Sequence, residues 1–301
     1  TADSGGTIKV WDIRNYGCVQ TIHVEDEKEV RVRGLVCFAV VPPHKRLVSG
    51  ARQLHVYESL TSTAQHSPEL ADLEPTIKVL YNSHMGSFIT ASKTTIKIWN
   101  GETGVLQRIY RNITRDKSGA VHEISALCLD DAQKKFIVGD VAGHVRVFNY
   151  LNGSAMKSIA VTGGGGGGGG DRSAARREVA SLHYVSGLKH IIASAQDGRV
   201  HLFDEDQPGE KISLVKAVSH HKAGVEITCA AYSENLTLFA SGSADGHVCV
   251  WDYRSHEVDG DLVGHQSEIT SLAFLDPYPI LVSADNDANI CFWVSRPLIG
   301  F

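Results

Sequence analysis

The segment that decides the fold is His247-Val-Cys-Val-Trp251-Asp252, because segments of the same kind recur along the 301-residue chain. Residues alternate in character along it, as expected for a β-strand with two different faces. Each copy ends in an aromatic residue, and these are Trp11, Tyr57, Trp99, Phe148, Phe203, Trp251 and Trp293. Successive aromatics lie 46, 42, 49, 55, 48 and 42 residues apart, and the interval of 55 contains a run of eight glycines. A period in the forties predicts stacked four-stranded units.

The other strands of each unit surround this segment. A preceding strand ends in small residues, as in Leu238-Phe-Ala-Ser-Gly242, and Asp245-Gly246 then joins it to the aromatic segment. An Asp-Gly pair is typical of a hairpin turn, because glycine tolerates positive φ. A further strand lies upstream, as in Ile227-Thr-Cys-Ala230, and another follows each aromatic. No segment has a convincing helical period, so we predict an all-β protein.

These residues resemble the WD-repeat β-propeller family over essentially the whole chain. In that family, a His before the innermost strand, a Ser or Thr, a hairpin Asp and a Trp form a buried hydrogen-bond chain. The resemblance implies two such chains here, His221–Ser241–Asp245–Trp251 and His265–Ser283–Asp287–Trp293, with His220 competing for the place of His221. It also implies one seven-bladed propeller over residues 1–301, with the first blade incomplete.

Other units depart from this pattern. Ala193 stands where the Ser of the Phe203 unit belongs, and Ala142 where the Asp of the Phe148 unit belongs. The units ending at Tyr57 and Trp99 have shortened hairpins without a turn Asp, although Ser49 and Thr90 hold the hydroxyl position. The first unit has a fourth strand at Cys18–Val24, while the last unit ends soon after its third strand. Either Cys18–Val24 closes the last blade, or, as we expect, the chain is part of a longer protein.

Composition excludes several classes of function. The chain has 29 basic and 34 acidic side chains, a net charge of −5, which lacks the basic excess of a duplex-DNA binder. Its apolar runs are too short to cross a bilayer. Six cysteines without a C-x-x-C pair argue against a zinc knuckle. No catalytic, cofactor or metal motif stands out, so we predict a protein that is not an enzyme and binds neither nucleic acid nor membrane.

The most distinctive connection is a Gly-rich loop at residues 162–177, which we predict to be flexible. It carries the densest basic cluster of the chain, Arg172, Arg176 and Arg177. Arginine forks suit an acidic or phosphorylated peptide, so these three are candidate partner-binding residues. In a propeller this loop lies on the same face as the Asp-Gly hairpins. Two other long charged connections, Glu25–Glu29 and Arg111–Ala120, would lie there too.

The family resemblance implies a non-catalytic scaffold that binds other proteins. Within the family, Gly139–Gly153 and Val79-Leu-Tyr-Asn82 are similar to WD-repeat proteins of cilia and flagella, some of which carry EF-hands outside the propeller. This narrower resemblance implies axonemal or microtubule-associated partners and a place in the cytoplasm, within the ciliary axoneme. The alternative is a cytosolic adaptor that recognises an acidic or phosphorylated peptide through the arginines named above.

Overall fold

The computed structural model describes residues 1–3, 5–12, 14–15, 17–23, 37–41, 46–50, 54–57, 75–161, 178–209 and 212–294. The predicted loop 162–177 lies outside the described residues, and with it Arg172, Arg176 and Arg177. The chain divides into two compact units, Thr1–Ile124 and Ser125–Phe301. The single domain expected over residues 1–301 stays a prediction.

The first unit holds three sheets whose strands follow one another along the chain. One sheet pairs β1 (Thr7–Asp12) with β2 (Gly17–His23). The second contains β3 (Cys37–Val41), β4 (Arg46–Gly50) and β5 (Leu54–Tyr57). The third contains β6 (Lys78–Asn82), β7 (Ser87–Ala91), β8 (Thr95–Asn100) and β9 (Leu106–Arg111).

The second unit repeats the same meander four times. The first of its sheets contains β10 (Ile124–Leu129), β11 (Lys135–Asp140), β12 (His144–Asn149) and β13 (Ala155–Ala160), and the second contains β14 (Val179–Val185), β15 (His190–Ala195), β16 (Arg199–Asp204) and β17 (Ser213–Val218). The third contains β18 (Ile227–Ser233), β19 (Leu238–Ser243), β20 (Val248–Asp252) and β21 (Val258–Leu262). The last sheet has three strands, β22 (Ile269–Phe274), β23 (Ile280–Asp285) and β24 (Ile290–Val294). Short hairpins join the strands, so neighbours run antiparallel. The described residues contain a single helical turn, Ser186–Leu188, and no helix among them is long and apolar enough to cross a membrane. The predicted all-β fold of repeated units is confirmed.

Burial explains why the middle strands carry the strongest sequence signal. Along β20 four of five residues are buried, whereas along the outer strand β17 five of six are exposed. Trp251 packs with Phe239 of its own sheet and with Val185 and Ile192 of the preceding sheet. The core of the second unit therefore lies between successive sheets, where the middle strands supply both faces.

Five of the strands with a terminal aromatic end in the same way. The residue after the aromatic accepts a hydrogen bond from the backbone N–H two positions later, at Asp12, Asn100, Asn149, Asp204 and Asp252. This side chain closes the turn into the fourth strand, which is why Asp or Asn recurs there. A register shift opposite the aromatic follows in the same five sheets. Such bulges bend the outer strand and hinder pairing with another sheet edge.

Candidate interaction face

The second unit brings connections between sheets onto its hairpin turns. Residues 219–226 join β17 to β18 and contact two turns at once. The Ser219 hydroxyl donates to the Gly198 carbonyl at 3.4 Å, and the Ala244 N–H donates to the Glu226 carbonyl at 3.0 Å. We call the turns at 195–199, 243–247 and 285–289, together with the connections 219–226 and 263–268, the hairpin face.

The connection 263–268 shows why glycine stands in the turn. Gly246 has a φ of 83°, and a Cβ built on it would lie 3.0 Å from the carbonyl oxygens of His265 and Ser267. At the other end of the connection 263–268, the Asn286 N–H donates to the Glu268 carbonyl at 2.9 Å. The hairpin turn of one sheet therefore packs tightly against the connection that leads into the next sheet.

The His265 chain is saturated. Its Nδ1 lies 2.7 Å from Asp285 Oδ2, and its Nε2 lies 2.6 Å from Ser283 Oγ. Trp293 Nε1 donates to the same Ser283 oxygen at 2.7 Å. The side chains of His265 and Asp285 are completely buried. A fully satisfied buried network of this kind fixes the connection 263–268 rigidly against its own sheet.

The carboxylate of this chain is Asp285, two residues before Asp287, which the repeat pattern indicated. Asp285 Oδ1 accepts the backbone N–H groups of Asp287 and Asn289 at 3.0 and 2.9 Å, so it holds the turn while Oδ2 faces His265. Asp287 stands at the exposed tip of that turn. Burial by itself would raise the pKa of Asp285, but the Asn289 amide and His265 lower it to about 2.

The His221 chain is shorter than the pattern indicated. His221 Nε2 lies 2.8 Å from Ser241 Oγ, and within the described part of the chain no hydrogen bond continues from Ser241 to Trp251. Among the described residues, Trp251 Nε1 has no hydrogen-bond partner, and none joins Asp245 to His221. Asp245 instead accepts the Ser243 hydroxyl at 2.6 Å.

Two side chains take the vacated places around His221. The ring of His220 packs on the Trp251 indole with centroids 5.4 Å apart, so His220 contacts the tryptophan while His221 contacts the serine. Cys249 Sγ lies 3.8 Å from His221 Nδ1, the atom that in the His265 chain faces a carboxylate. His220 and His221, the two candidates for this place in the repeat, therefore both pack against the sheet. We call the region where a histidine of a connection packs against its sheet a histidine seam.

Two sheets that depart from the repeat pattern have carboxylates of their own. Asp140 is fully buried and accepts Arg146 Nη1 at 2.9 Å, besides the N–H groups of Ala142 and His144. In the next sheet Asp197 lies 3.6 Å from the buried ring of His201. Burial would raise the pKa of Asp197, yet the His201 side chain outweighs it and the pKa is lowered.

The repeat pattern missed a position that the sequence does contain. Asp3, Asp140 and Asp285 each stand eight residues before their aromatic, and each accepts a backbone N–H of its turn. Comparing the units at that offset, rather than at the turn Asp of the family pattern, would have found all three. The tryptophan-to-hydroxyl bond also recurs in the first unit, from Trp11 to Thr1 at 3.1 Å and from Trp99 to Thr90 at 2.9 Å.

The predicted charged connection 111–120 is tightly organised. Thr114 is buried and donates to the His122 carbonyl, while Asp116 accepts the N–H groups of Ser118 and Ala120 at 2.8 and 2.9 Å. Hydrogen bonding, chiefly from the Ser118 hydroxyl, lowers the pKa of Asp116 to about 2. Within the described part of the chain, no group of three or more His, Cys, Asp and Glu side chains is placed to hold a metal ion.

Comparison with known proteins agrees with this repeated architecture. Residues 212–252 and 257–294, which contain both hydrogen-bond chains, match the family model for the WD domain, G-beta repeat. Cilia- and flagella-associated protein 337 B of Tetrahymena thermophila is 23% identical over 99% of this chain, which spans 22% of that protein. Topless-related protein 3 of Arabidopsis thaliana is 41% identical over 21% of this chain and 6% of its own length. The chain thus spans less than a quarter of each of these relatives.

A solved structure shows the fold. The crystal structure of the Cps50 (Swd1) β-propeller domain of Myceliophteria thermophila matches with a TM-score of 0.79, covering 98% of this chain and 91% of that chain at 12% identity. The predicted β-propeller is therefore confirmed, and two of its segments match the WD-repeat family model.

Proposed function

We propose that this chain is a non-catalytic protein-interaction module of a ciliary or flagellar axoneme. The observation that carries the proposal is the 23% identity with Cilia- and flagella-associated protein 337 B, because it extends over 99% of the chain. A match confined to the most regular repeats would indicate only the fold. Since the chain spans 22% of that relative, the partners and activity of a whole protein belong to the proposal too.

The hairpin face is the surface that we propose for partner binding. Its turns are held by internal hydrogen bonds, as at Asp285 and Asp245, and they present the side chains of two connections to solvent. Lys222 on the connection 219–226 is 73% exposed and lies 3.9 Å from Asp245. Loops positioned by a rigid scaffold commonly carry binding. The proposed partners are proteins of the axoneme rather than nucleic acids or membranes.

Extraction from cilia tests this proposal. The full-length protein is tagged in a ciliated cell, membranes are removed with detergent, and axonemes are extracted with high salt. We expect the protein to remain in the microtubule pellet. Release into the soluble pool, or absence from cilia, would contradict the ciliary role.

A charge-reversal pair locates the surface. Lys222→Glu should increase the fraction extracted by salt, because it places a negative charge on the hairpin face. Lys189→Glu is the matched control: this lysine is also exposed, at 56%, but pairs with Asp206 beside the turns that follow the third strands. Equal extraction of the two variants would contradict binding through the hairpin face.

A second candidate function is the recognition of an acidic or phosphorylated peptide by Arg172, Arg176 and Arg177. These residues lie in the connection from β13 to β14, which corresponds in the repeat to the connection 219–226. Replacing all three with Ala should abolish binding of such a peptide, and salt should weaken it strongly. The control variant removes three exposed arginines elsewhere, Arg108, Arg111 and Arg254. Unchanged binding after the first replacement would exclude this candidate.

A further inference from the structure

Two successive sheets hold histidines at the same repeat position in different surroundings. His265 lies between the Ser283 hydroxyl and the Asp285 carboxylate, at 2.6 and 2.7 Å. His221 lies between the Ser241 hydroxyl and the Cys249 thiol, at 2.8 and 3.8 Å. A neighbouring carboxylate favours a charged imidazolium, whereas a hydroxyl and a neutral thiol do not. The surroundings of His221 therefore oppose its protonation.

Two further imidazoles flank the buried Trp251 indole in the same seam. The rings of His220 and His256 lie 5.4 and 6.2 Å from it, centroid to centroid. In the described part of the chain, three buried nitrogens here have no hydrogen-bond partner: His220 Nε2, His256 Nδ1 and Trp251 Nε1. A proton added at either of these two imidazole nitrogens would place an N–H donor where the described residues offer no acceptor.

The charged and titratable groups that face these three histidines are Lys216 on β17, Lys222 in the connection, Asp245 and His247 at the hairpin, Cys249 and Asp252 on β20, Asp261 on β21, and His190 on β15. Three of these groups are carboxylates. Each carboxylate already has another contact: Asp245 with Ser243 at 2.6 Å, Asp261 with His247 at 3.4 Å, and Asp252 with two N–H groups of its own turn.

The net effect of folding on the pKa has the same direction at all three rings, although Asp245 and Asp261 act against it at His221 and Asp252 at His256. Burial is the largest cause and lowers the pKa of His220, His221 and His256. The neighbouring Lys216 lowers the pKa of His220 and His256 further. A histidine whose pKa is lowered by folding stabilises the closed state above its unfolded pKa of about 6.5, and this stabilisation is lost as the pH falls below that value.

We propose that residues 219–226 form an acid-operated latch, in which protonation of His220 and His221 releases this connection and uncovers Cys249 and Trp251. At neutral pH, uncharged imidazoles hold the connection against Ser241 and the indole. In acid the charged rings move to water. The connection 263–268 stays closed, because Ser283 and Asp285 hold both nitrogens of His265. Since residues 219–226 belong to the hairpin face, acid changes the surface that a partner meets, whatever that partner is.

Thiol labelling tests the latch in the intact chain. Cys249 and Cys291 stand two residues before Trp251 and Trp293, so they occupy equivalent positions beside the two histidine seams. Both are free thiols, and Cys249 is buried. The reagent is 4,4′-dithiodipyridine, which reacts in mild acid, and peptide mass spectrometry resolves each cysteine. Rates are divided by those of the unfolded chain at the same pH.

The latch predicts a response at one cysteine. Between about pH 7.5 and about pH 5.5, protection of Cys249 should be progressively lost, because the open connection takes up protons at His220 and His221 more readily than the closed one. Protection of Cys291 should change by less than about twofold, since His265 keeps its carboxylate. An equal response at both cysteines, or none at Cys249, would overturn the proposal.

A double variant identifies the sensor. His220→Gln with His221→Gln removes both titrating rings, and the amide introduced at position 221 can still donate to Ser241, so protection of Cys249 should become independent of pH. His23→Gln, at an exposed position of β2, is the control and should keep the response. Persistence of the response in the double variant would overturn the proposal.

Hydrogen exchange of the unmodified chain gives a second readout that does not depend on a variant folding. After correction for the intrinsic pH dependence, residues 219–226 should lose protection in acid while residues 263–268 keep it. Parallel loss in both connections would overturn the proposal.

Discussion

The serines of the two segments that match the WD-repeat family model make a matched pair of perturbations. Ser283 Oγ accepts or donates hydrogen bonds with both His265 Nε2 and Trp293 Nε1, whereas among the described residues Ser241 Oγ is hydrogen-bonded to His221 Nε2 alone. Both serines are buried, with 0% and 1% of their surface exposed. Replacement by Ala deletes one oxygen in each case. Ser283→Ala therefore leaves the buried His265 Nε2 and the partly buried Trp293 Nε1 without this partner, and Ser241→Ala leaves only His221 Nε2.

The magnitudes follow from the number of groups left unpaired. Each unsatisfied buried polar group costs about 1–3 kcal/mol. Ser283→Ala should therefore lower the free energy of unfolding by about 2–5 kcal/mol, and Ser241→Ala by about 1–3 kcal/mol.

Urea unfolding followed by tryptophan fluorescence measures both variants. The transition midpoint reports the change in stability when the slope m stays constant, and far-ultraviolet circular dichroism checks that both signals change together. If Ser241→Ala proves as costly as Ser283→Ala, the difference between the saturated and the shortened chain is not an energetic one and the reasoning fails.

Three further predictions concern close packing, titration and an indole hydrogen bond. Gly242→Val should destabilise by about 1–3 kcal/mol in urea unfolding, because even a Cβ there lies 2.7 Å from the Ile269 side chain; Gly260→Val, on an open outer strand, is its control. Asp285→Asn should remove the stabilisation that the lowered pKa supplies above about pH 4 and that the native chain loses towards pH 2; thermal unfolding curves of the two chains should then converge in acid. Thr90→Val should cost about 1–2 kcal/mol, because the Trp99 N–H loses its acceptor; an unchanged midpoint would contradict this.

The sequence predicted the strands well because their physical signal is local. Alternation, a terminal aromatic and an Asp-Gly turn all lie within about a dozen residues, and burial of Trp251 and exposure of Val215 on the outer strand follow from the meander. The partners His265, Ser283 and Trp293 were also recognisable, since each stands at a fixed place in its repeat.

Side-chain partners across strands were harder to predict. Asp285 and Asp287 both precede Trp293 in one turn, and only the turn geometry decides which carboxylate faces His265. Likewise, Cys249 beside His221 depends on the connection 219–226 folding back onto β20. Such contacts depend on how deeply a connection and a hairpin turn pack against each other, and alternation and spacing along the chain do not encode this.

Cross-linking mass spectrometry of intact axonemes tests the central claim most directly. Lysines on the two sides of the second unit provide the reporters: Lys222 on the hairpin face, and Lys134 and Lys189 beside the turns opposite. A lysine-reactive linker is applied before any extraction, and links between different proteins are identified. The account predicts that axonemal proteins are linked through Lys222 and not through the other two. Links through Lys134 and Lys189 alone, or no axonemal partner at any of the three, would contradict it.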